Sequence, residues 1–143
     1  MIRGILGVIF GYVALFIVTF TTLSATYMTL GAERSFQPGN YMLSPLWLFI
    51  TSIFALVAAV VGGKVCRFVS GKGWAVFLMA VSALILGLLF AIPVLLGAEG
   101  TAARTSETTM LEAIVSQKAP IWYALLSPFL SAGGVFIGGK KKR

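Results

Sequence analysis

The sequence predicts an all-α membrane protein with four transmembrane helices, arranged as two parallel-repeat hairpins with a short outer surface helix. Hydrophobic residues make up 59% of the 143 residues and charged residues only 10%, whereas soluble domains carry about 25% charged residues. Four long segments contain no Asp, Glu, Lys or Arg. Part of the sequence also repeats, and the repeat divides these four segments into two pairs.

Each charge-free segment can hold one membrane-spanning helix, because about 20 apolar residues cross the ~30 Å hydrocarbon core. The segments are residues 4–32, 35–63, 73–98 and 119–139. We expect the first segment to be retained and not cleaved as a signal peptide. Its apolar stretch exceeds the usual ~7–15 residues, and only Arg3 precedes it. Cleavage remains the alternative, because "TLSA" at 22–25 offers small residues to a peptidase.

Basic residues predict the orientation of these helices. Cations near helix ends are retained in the cytoplasm, so the side richer in cations is predicted to face inward. That side carries eight cations and no carboxylate: Arg3, Lys64, Arg67, Lys72, Lys140, Lys141, Lys142 and Arg143. The other side carries Arg34, Arg104 and Lys118 with all four Glu residues. We therefore expect a multi-pass protein of a bacterial cytoplasmic (inner) membrane, with both termini cytoplasmic.

The same cations explain the net charge of +7 without a nucleic-acid partner. We interpret the C-terminal "GGKKKR" as an interface anchor that favours anionic lipid head groups. A recognition motif is the alternative. The predicted cationic anchors are Lys64, Arg67, Lys140, Lys141, Lys142 and Arg143.

The tetrapeptide "LGAE" occurs at residues 30–33 and again at 96–99, and it belongs to a longer repeat. Each copy is followed by P-[LI]-W, at 45–47 and 120–122, and then by GGK, at 62–64 and 138–140. The second copies of LGAE, P-[LI]-W and GGK lie 66, 75 and 76 positions after the first copies, respectively. We interpret the pattern as an internal duplication within one membrane domain, residues 1–143, with hairpin repeats at 4–66 and 73–139. Since both hairpins start and end on one side, they are parallel repeats related by an axis along the membrane normal.

The repeated residues have ordinary roles at helix ends. Glycine can end a helix in the left-handed conformation, proline suits a first helical turn, and tryptophan is favoured at the membrane interface. The corresponding pairs are Gly31 and Gly97, Pro45 and Pro120, and Trp47 and Trp122. Each GGK is expected to close its helix before the cations that follow.

Small residues spaced four apart predict the helix faces that pack together, because apolar helices in lipid associate through close backbone approach. The predicted packing residues are Gly7, Gly11, Ala55, Ala59, Gly63, Ala83, Gly87 and Ala91, followed in the fourth helix by Ser127, Ser131, Gly134 and Gly138. Pro93 and Pro128 are expected to kink the third and fourth helices.

The stretch "TFTTLSATYMT" at 19–29 is the densest polar run within a predicted span. Thr19, Thr22 and Thr26 share one helical face. They either line a hydroxyl-bearing cavity or hold neighbouring helices together through hydrogen bonds. We prefer the second interpretation, because threonine hydroxyls in membranes commonly bond to backbone or to an adjacent helix.

The longer outer loop is predicted to contain a short amphipathic helix at residues 107–117. Thr109 and Glu112 have the spacing of a capping box. Apolar residues cluster on one side of this helix, which is expected to lie on the membrane surface or on a partner. The predicted lipid or partner contacts are Met110, Leu111, Ile114 and Val115.

The chain lacks the residue types on which most enzyme chemistry depends. It has no His, no Asp and a single Cys, Cys66. Histidine-based acid–base catalysis and paired-thiol redox chemistry are therefore excluded. No predicted span contains the carboxylate that proton-coupled transporters generally need. We expect no enzymatic activity, no cofactor and no metal site.

The stretches "GYVALF", "FQPGNY" followed by Trp, and "GGKVCR" resemble small four-helix bacterial membrane proteins of no assigned function, over the first half of the chain. This resemblance implies no activity. Two hypotheses follow from the residues themselves. We prefer a structural or accessory subunit of a larger membrane complex, with the bilayer, other membrane subunits or further copies of the chain as partners. The alternative is a small oligomeric channel or transporter for an uncharged or weakly polar solute. A transport path usually leaves an ionisable group in the membrane, and none is found.

Overall fold

The computed structural model describes residues 2–38, 42–96 and 119–140, which contain four α-helices. Each helix is long and apolar enough to cross a membrane. The predicted all-α fold with four spans is therefore confirmed. The helices are α1 (Ile2–Ser35), α2 (Pro45–Ser70), α3 (Gly73–Leu95) and α4 (Ile121–Gly139).

Some predicted features lie outside the described residues. They are the helix at 107–117 with Met110, Leu111, Ile114 and Val115, the helix-ending Gly97, and the cations Lys141, Lys142 and Arg143.

Gly31 interrupts α1 near its C-terminal end. Its backbone has φ 71° and ψ 172°, a combination that only glycine adopts without steric cost. Gly31 therefore breaks the long helix near the predicted position, but its ψ lies outside the predicted left-handed helical conformation, and helical structure continues to Ser35. The chain then folds back on itself, since Gln37 N donates to Met42 O (2.8 Å) and Ser44 N donates to Ser35 O (2.9 Å).

The start of α2 is fixed by Ser44 and Pro45. Pro45 lies in the first turn, as predicted, and Ser44 is the N-cap. The Ser44 hydroxyl accepts a hydrogen bond from Trp47 N (3.1 Å) and donates one to Arg34 O (2.6 Å). One side chain thus satisfies free backbone groups on both helices of the hairpin.

The end of α2 differs from the prediction. The helix does not close at "GGK"; it continues through Gly62 and Gly63 to Ser70 and ends at Gly71, which has φ 65°. The prediction was wrong because both glycines are buried between helices, where the gain from close packing outweighs their low helix propensity. At the second copy the prediction holds, since α4 ends at Gly139. Pro120 precedes α4 as its N-cap and does not lie in its first turn.

Within each hairpin the two helices are antiparallel. In the first, a Cβ at Gly11 would lie 3.0 Å from Gly62 O. At the other end of that pair the Tyr27 and Trp47 rings are 6.4 Å apart. In the second hairpin, the rings of Phe77 and Phe136 are 6.0 Å apart near the start of α3 and the end of α4.

The two hairpins meet in parallel. Thr51 in α2 lies beside Tyr123 in α4, with 3.3 Å between their hydroxyl oxygens. Further along both helices, a Cβ at Gly134 would lie 2.6 Å from Ala59 Cβ. Residue numbers therefore increase together along this contact, and α2 and α4 run in the same direction.

This arrangement brings the start of α1 and α3 and the end of α2 and α4 to one end of the bundle. The described cations at this end, which we call the basic end, are Arg3, Lys64, Arg67, Lys72 and Lys140. The opposite end, where the chain reverses within each hairpin, is called the hairpin end. Contacts are extensive between α1 and α2, α2 and α4, and α4 and α3. Among the described residues the backbones of α1 and α4 do not approach each other closely, so α2 and α4 form the central pair.

Candidate binding cavity

Close backbone contact between α2 and α4 shuts the half of the bundle near the basic end. Gly63 lies directly against the carbonyl of Val135, and Gly138 lies directly against the carbonyl of Val60, so neither site has room for a Cβ. Glycine at both positions lets the two backbones meet with no side chain between them.

These two contacts are equivalent under a shift of 75 positions. This is the offset of P-[LI]-W and is one less than that of GGK. With it, Gly63 corresponds to Gly138 and Val60 to Val135, so each helix presents the same pair of residues to the other. A twofold relation between two copies of one hairpin produces reciprocal contacts of this kind. The duplication itself, with repeats at 4–66 and 73–139, stays a prediction.

The first and third helices complete the closure of this half. A Cβ at Gly7 would lie 2.6 Å from Ser70 Cβ, and one at Gly11 would lie 2.9 Å from Cys66 Cβ. Met79 from α3 is fully buried at the centre, with its Sδ 2.7 Å from the Cβ position of Gly11. The half of the bundle near the basic end is therefore a packed core.

The remaining predicted packing residues have different surroundings. Ala91 is buried in α3, and Gly87 lies against Pro128, whose Cβ is 2.8 Å from the position of a glycine Cβ. Ala83 is partly exposed, and Ala55 does not pack closely but lines a cavity.

That cavity lies between the helices in the half near the hairpin end and has a volume of about 270 Å³. The side chains that line it are larger than the glycines at which α2 and α4 meet in the other half. All four helices or the segments joined to them contribute. The lining consists of Thr19, Thr22, Leu23, Leu43, Trp47, Thr51, Phe54, Ala55, Val94, Ala119 and Tyr123.

Hydroxyl groups provide the polar part of the lining. The Thr51 hydroxyl donates to Trp47 O (2.7 Å), and the Thr22 hydroxyl donates to Val18 O (2.7 Å). Because a hydroxyl has a single hydrogen, Tyr123 must be the donor in its 3.3 Å contact with Thr51. The Thr19 hydroxyl makes no hydrogen bond to any described residue. The wall therefore retains hydrogen-bonding capacity.

These hydrogen bonds contradict our preferred interpretation of Thr19, Thr22 and Thr26, which was that their hydroxyls hold neighbouring helices together. Thr22 and Thr26 do not bond across to another helix; Thr26 donates to Thr22 O at 2.6 Å, and Thr22 also bonds within α1. The hydroxyl of a helical threonine can reach a backbone carbonyl one turn earlier, which explains the local bonds. Thr19 and Thr22 instead line the cavity, as the other interpretation proposed.

The two predicted tryptophan anchors lie in different environments. Trp47 is only 4% exposed and packs in a cluster with Phe36, Leu43 and Leu48, because the segment after α1 folds back beside it. Trp122 is 59% exposed, as a residue in contact with a membrane interface needs to be. Only Trp122 therefore has the surroundings expected of an interface anchor.

Cross-helix hydroxyl contacts were not identified from the sequence. Tyr12 in α1 bonds to Ser82 in α3, with 2.7 Å between the oxygens, and Tyr123 reaches Thr51. A tyrosine inside an apolar span is the sequence feature that could have predicted these contacts, because a buried phenol hydroxyl requires a hydrogen-bond partner.

The lining contains no charged residue, and no group of three or more His, Cys, Asp or Glu residues that could hold a metal occurs in residues 2–38, 42–96 and 119–140. The cavity therefore suits a neutral, mostly apolar molecule. Comparison of the chain with protein-family models, curated proteins and solved structures found no match.

Proposed function

We propose that this integral membrane protein is a non-enzymatic structural or accessory subunit of a larger membrane complex. The observation that carries the proposal is the closed half of the bundle near the basic end. There the backbones of α2 and α4 touch at Gly63 and Gly138. A solute crossing a single copy would have to separate these two helices. A closed bundle of this kind is suited to packing beside other subunits.

The charge distribution supports the same proposal. Residues 4–32, 35–63, 73–98 and 119–139 contain no Asp, Glu, Lys or Arg. Ion and proton pathways generally include ionisable side chains inside the membrane. A chain without them has little means of coupling a solute to an ion gradient.

The outer faces of the bundle supply the surface on which neighbours would pack. Large apolar side chains are well exposed on several helices, including Phe16 on α1, Phe90 on α3 and Phe129 on α4. Such faces require contact with lipid or with another membrane protein. The described cations at the basic end fit anchors on the cytoplasmic side of a bacterial inner membrane, with both termini cytoplasmic.

The alternative function is a small oligomeric channel or transporter for an uncharged or weakly polar solute. The hydroxyl-lined cavity favours it. Because the helix backbones pack closely in the half near the basic end, any continuous path would have to run between copies of the chain.

Purification in mild detergent tests the accessory role, with a double variant, Leu111→Ser with Ile114→Ser, as the matched comparison. We expect the unmodified chain to co-purify with other membrane proteins at fixed stoichiometry, and the double variant to recover less of them. The chain alone, reconstituted in vesicles, should show no permeability to glycerol or urea above that of protein-free vesicles in stopped-flow light scattering. Recovery of the chain only with itself, together with glycerol or urea flux, would favour the channel.

A further inference from the structure

We propose that the cavity near the hairpin end is a binding site for a single-chain neutral amphiphile, a hydrocarbon chain bearing one uncharged hydroxyl or carbonyl oxygen. This goes beyond the accessory role and does not depend on it. The argument uses the size of the cavity, its lack of charge and the state of its hydroxyl groups.

The size fits a medium-length chain. An engineered apolar cavity of ~150 Å³ holds benzene, which has six carbon atoms. The volume here is about 270 Å³, so a chain of roughly ten to twelve carbon atoms fits by the same proportion. Leu23, Phe54 and Val94 provide apolar surface for it.

The absence of charge from the lining selects against ionic ligands. A carboxylate or phosphate placed there would lose its hydration without meeting a cation, which is strongly unfavourable in a membrane. Among the described cations, Arg34 lies at the hairpin end but does not line the cavity, and the others lie at the basic end. The ligand is therefore uncharged.

The hydroxyl groups call for one polar atom in the ligand. Thr22 and Thr51 have already donated their hydrogens to backbone carbonyls, so their oxygens can only accept. Tyr123 donates across a long 3.3 Å contact, and the side-chain hydroxyl of Thr19 makes no hydrogen bond to a described residue. A ligand hydroxyl can donate to Thr22 or Thr51 and accept from Thr19, or accept from Tyr123 if it replaces the 3.3 Å contact between Tyr123 and Thr51. A plain alkane would leave this capacity unused.

Quenching of Trp47 fluorescence measures binding directly, because Trp47 lines the cavity. The full chain with Trp74→Phe and Trp122→Phe, in lipid nanodiscs, would be titrated with 10-bromodecan-1-ol, 1-bromodecane or 10-bromodecanoate. We expect the alcohol to quench Trp47 saturably and unbrominated decan-1-ol to reverse the quenching. The control is a chain that retains only Trp122, which is exposed. Probe dissolved in the bulk membrane should quench its fluorescence without saturation.

Hydrogen bonding is tested by Tyr123→Phe and Thr51→Val. Each should weaken binding of the alcohol by about 2- to 10-fold, as loss of one hydrogen bond predicts, and leave binding of the bromoalkane unchanged. Ala55→Leu narrows the cavity and should weaken all probes at least ~10-fold, given the cost of overpacking. Ala25→Leu, on the exposed face of α1, is the matched control and should have no effect.

The proposal is overturned if bromodecane or bromodecanoate binds as tightly as the alcohol. It is also overturned if Ala55→Leu and Ala25→Leu have the same effect on the affinity for the probes. Phospholipid brominated in its acyl chains provides the last comparison. If it quenches Trp47 more strongly than Trp122, ordinary bilayer chains fill the cavity and a dedicated amphiphile site is wrong. Melting curves for each variant separate loss of binding from loss of folding.

Discussion

Contacts of single glycines decide how closely the helices approach. On α4, Gly138 meets the carbonyl of Val60, whereas a Cβ at Gly133 would have no atom within 4 Å. The two glycines belong to the same helix but have different surroundings. Composition alone therefore does not reveal which glycine is needed for packing.

This difference gives the first prediction. Gly138→Ala should lower the free energy of unfolding by about 1–3 kcal/mol, because the added methyl group overpacks the contact between α2 and α4. Gly133→Ala, the matched control, should leave stability unchanged or raise it by up to about 1 kcal/mol through helix propensity. Unfolding in mixed micelles titrated with SDS measures both. Equal changes in the free energy of unfolding for the two variants would contradict the close contact between Gly138 and Val60.

The hydrogen bond between Tyr12 and Ser82 gives the second prediction. Tyr12→Phe should destabilise the protein modestly, by about 0.6 kcal/mol and no more than about 1.7 kcal/mol, the range found for hydrogen bonds between membrane helices. A double-mutant cycle with Ser82→Ala isolates the pair. Additive effects in that cycle would show that the two hydroxyls are not coupled.

At the scale of whole elements, the ends of the helices depend on a few local conformations. Gly31 and Gly71 both have positive φ, at 71° and 65°, and each lies where a long helix stops. Ser44 connects the two helix ends of the first hairpin through hydrogen bonds to Arg34 and Trp47. Hairpin geometry therefore depends on these residues as well as on apolar length.

Gly71→Ala should consequently destabilise the connection between α2 and α3, by about 1–2 kcal/mol, the cost of a left-handed conformation for a residue with a side chain. Gly73→Ala is the control, because its nearest neighbour is only the flexible end of Arg67, 3.0 Å away. Thermal melting in detergent compares the two variants. A larger loss for Gly73→Ala would contradict the assigned conformations.

The four long helices of the described residues followed from the sequence, because bilayer thickness requires long charge-free segments. The position at which α2 ends did not follow from the sequence, because the burial of Gly62 and Gly63 depends on partners distant in sequence. Only some of the residues that line the cavity were predicted from the sequence. The threonine face indicated Thr19 and Thr22, but Thr51, Phe54 and Tyr123 come from other helices. Their convergence is a property of tertiary packing, and no local pattern encodes it.

At the scale of the whole molecule, the structure combines a packed half with an open one. Glycine contacts join α2 and α4 near the basic end, and Trp47, Phe54 and Tyr123 line the cavity near the hairpin end. The cavity follows from this difference. The charge asymmetry runs along the same axis and predicts that the basic end faces the cytoplasm.

Orientation can be checked with cysteine labelling on a Cys66→Ser background. A membrane-impermeant maleimide added to intact cells should label Ser106→Cys and spare Lys72→Cys until the membrane is permeabilised. This is the outcome expected if basic residues are retained inside. The reverse labelling pattern would show that the basic end faces outward.

Cross-linking between α2 and α4 tests the parallel contact of the two hairpins most directly, and both the closed half and the cavity depend on that contact. On the Cys66→Ser background, Thr51→Cys would be paired with Tyr123→Cys and, as the control, with Val135→Cys. A short bifunctional thiosulfonate applied to membranes should join residues 51 and 123, whose native hydroxyls are 3.3 Å apart, and should not join 51 and 135. Efficient cross-linking of 51 to 135 with none to 123 would mean that α2 and α4 are antiparallel and would contradict the fold.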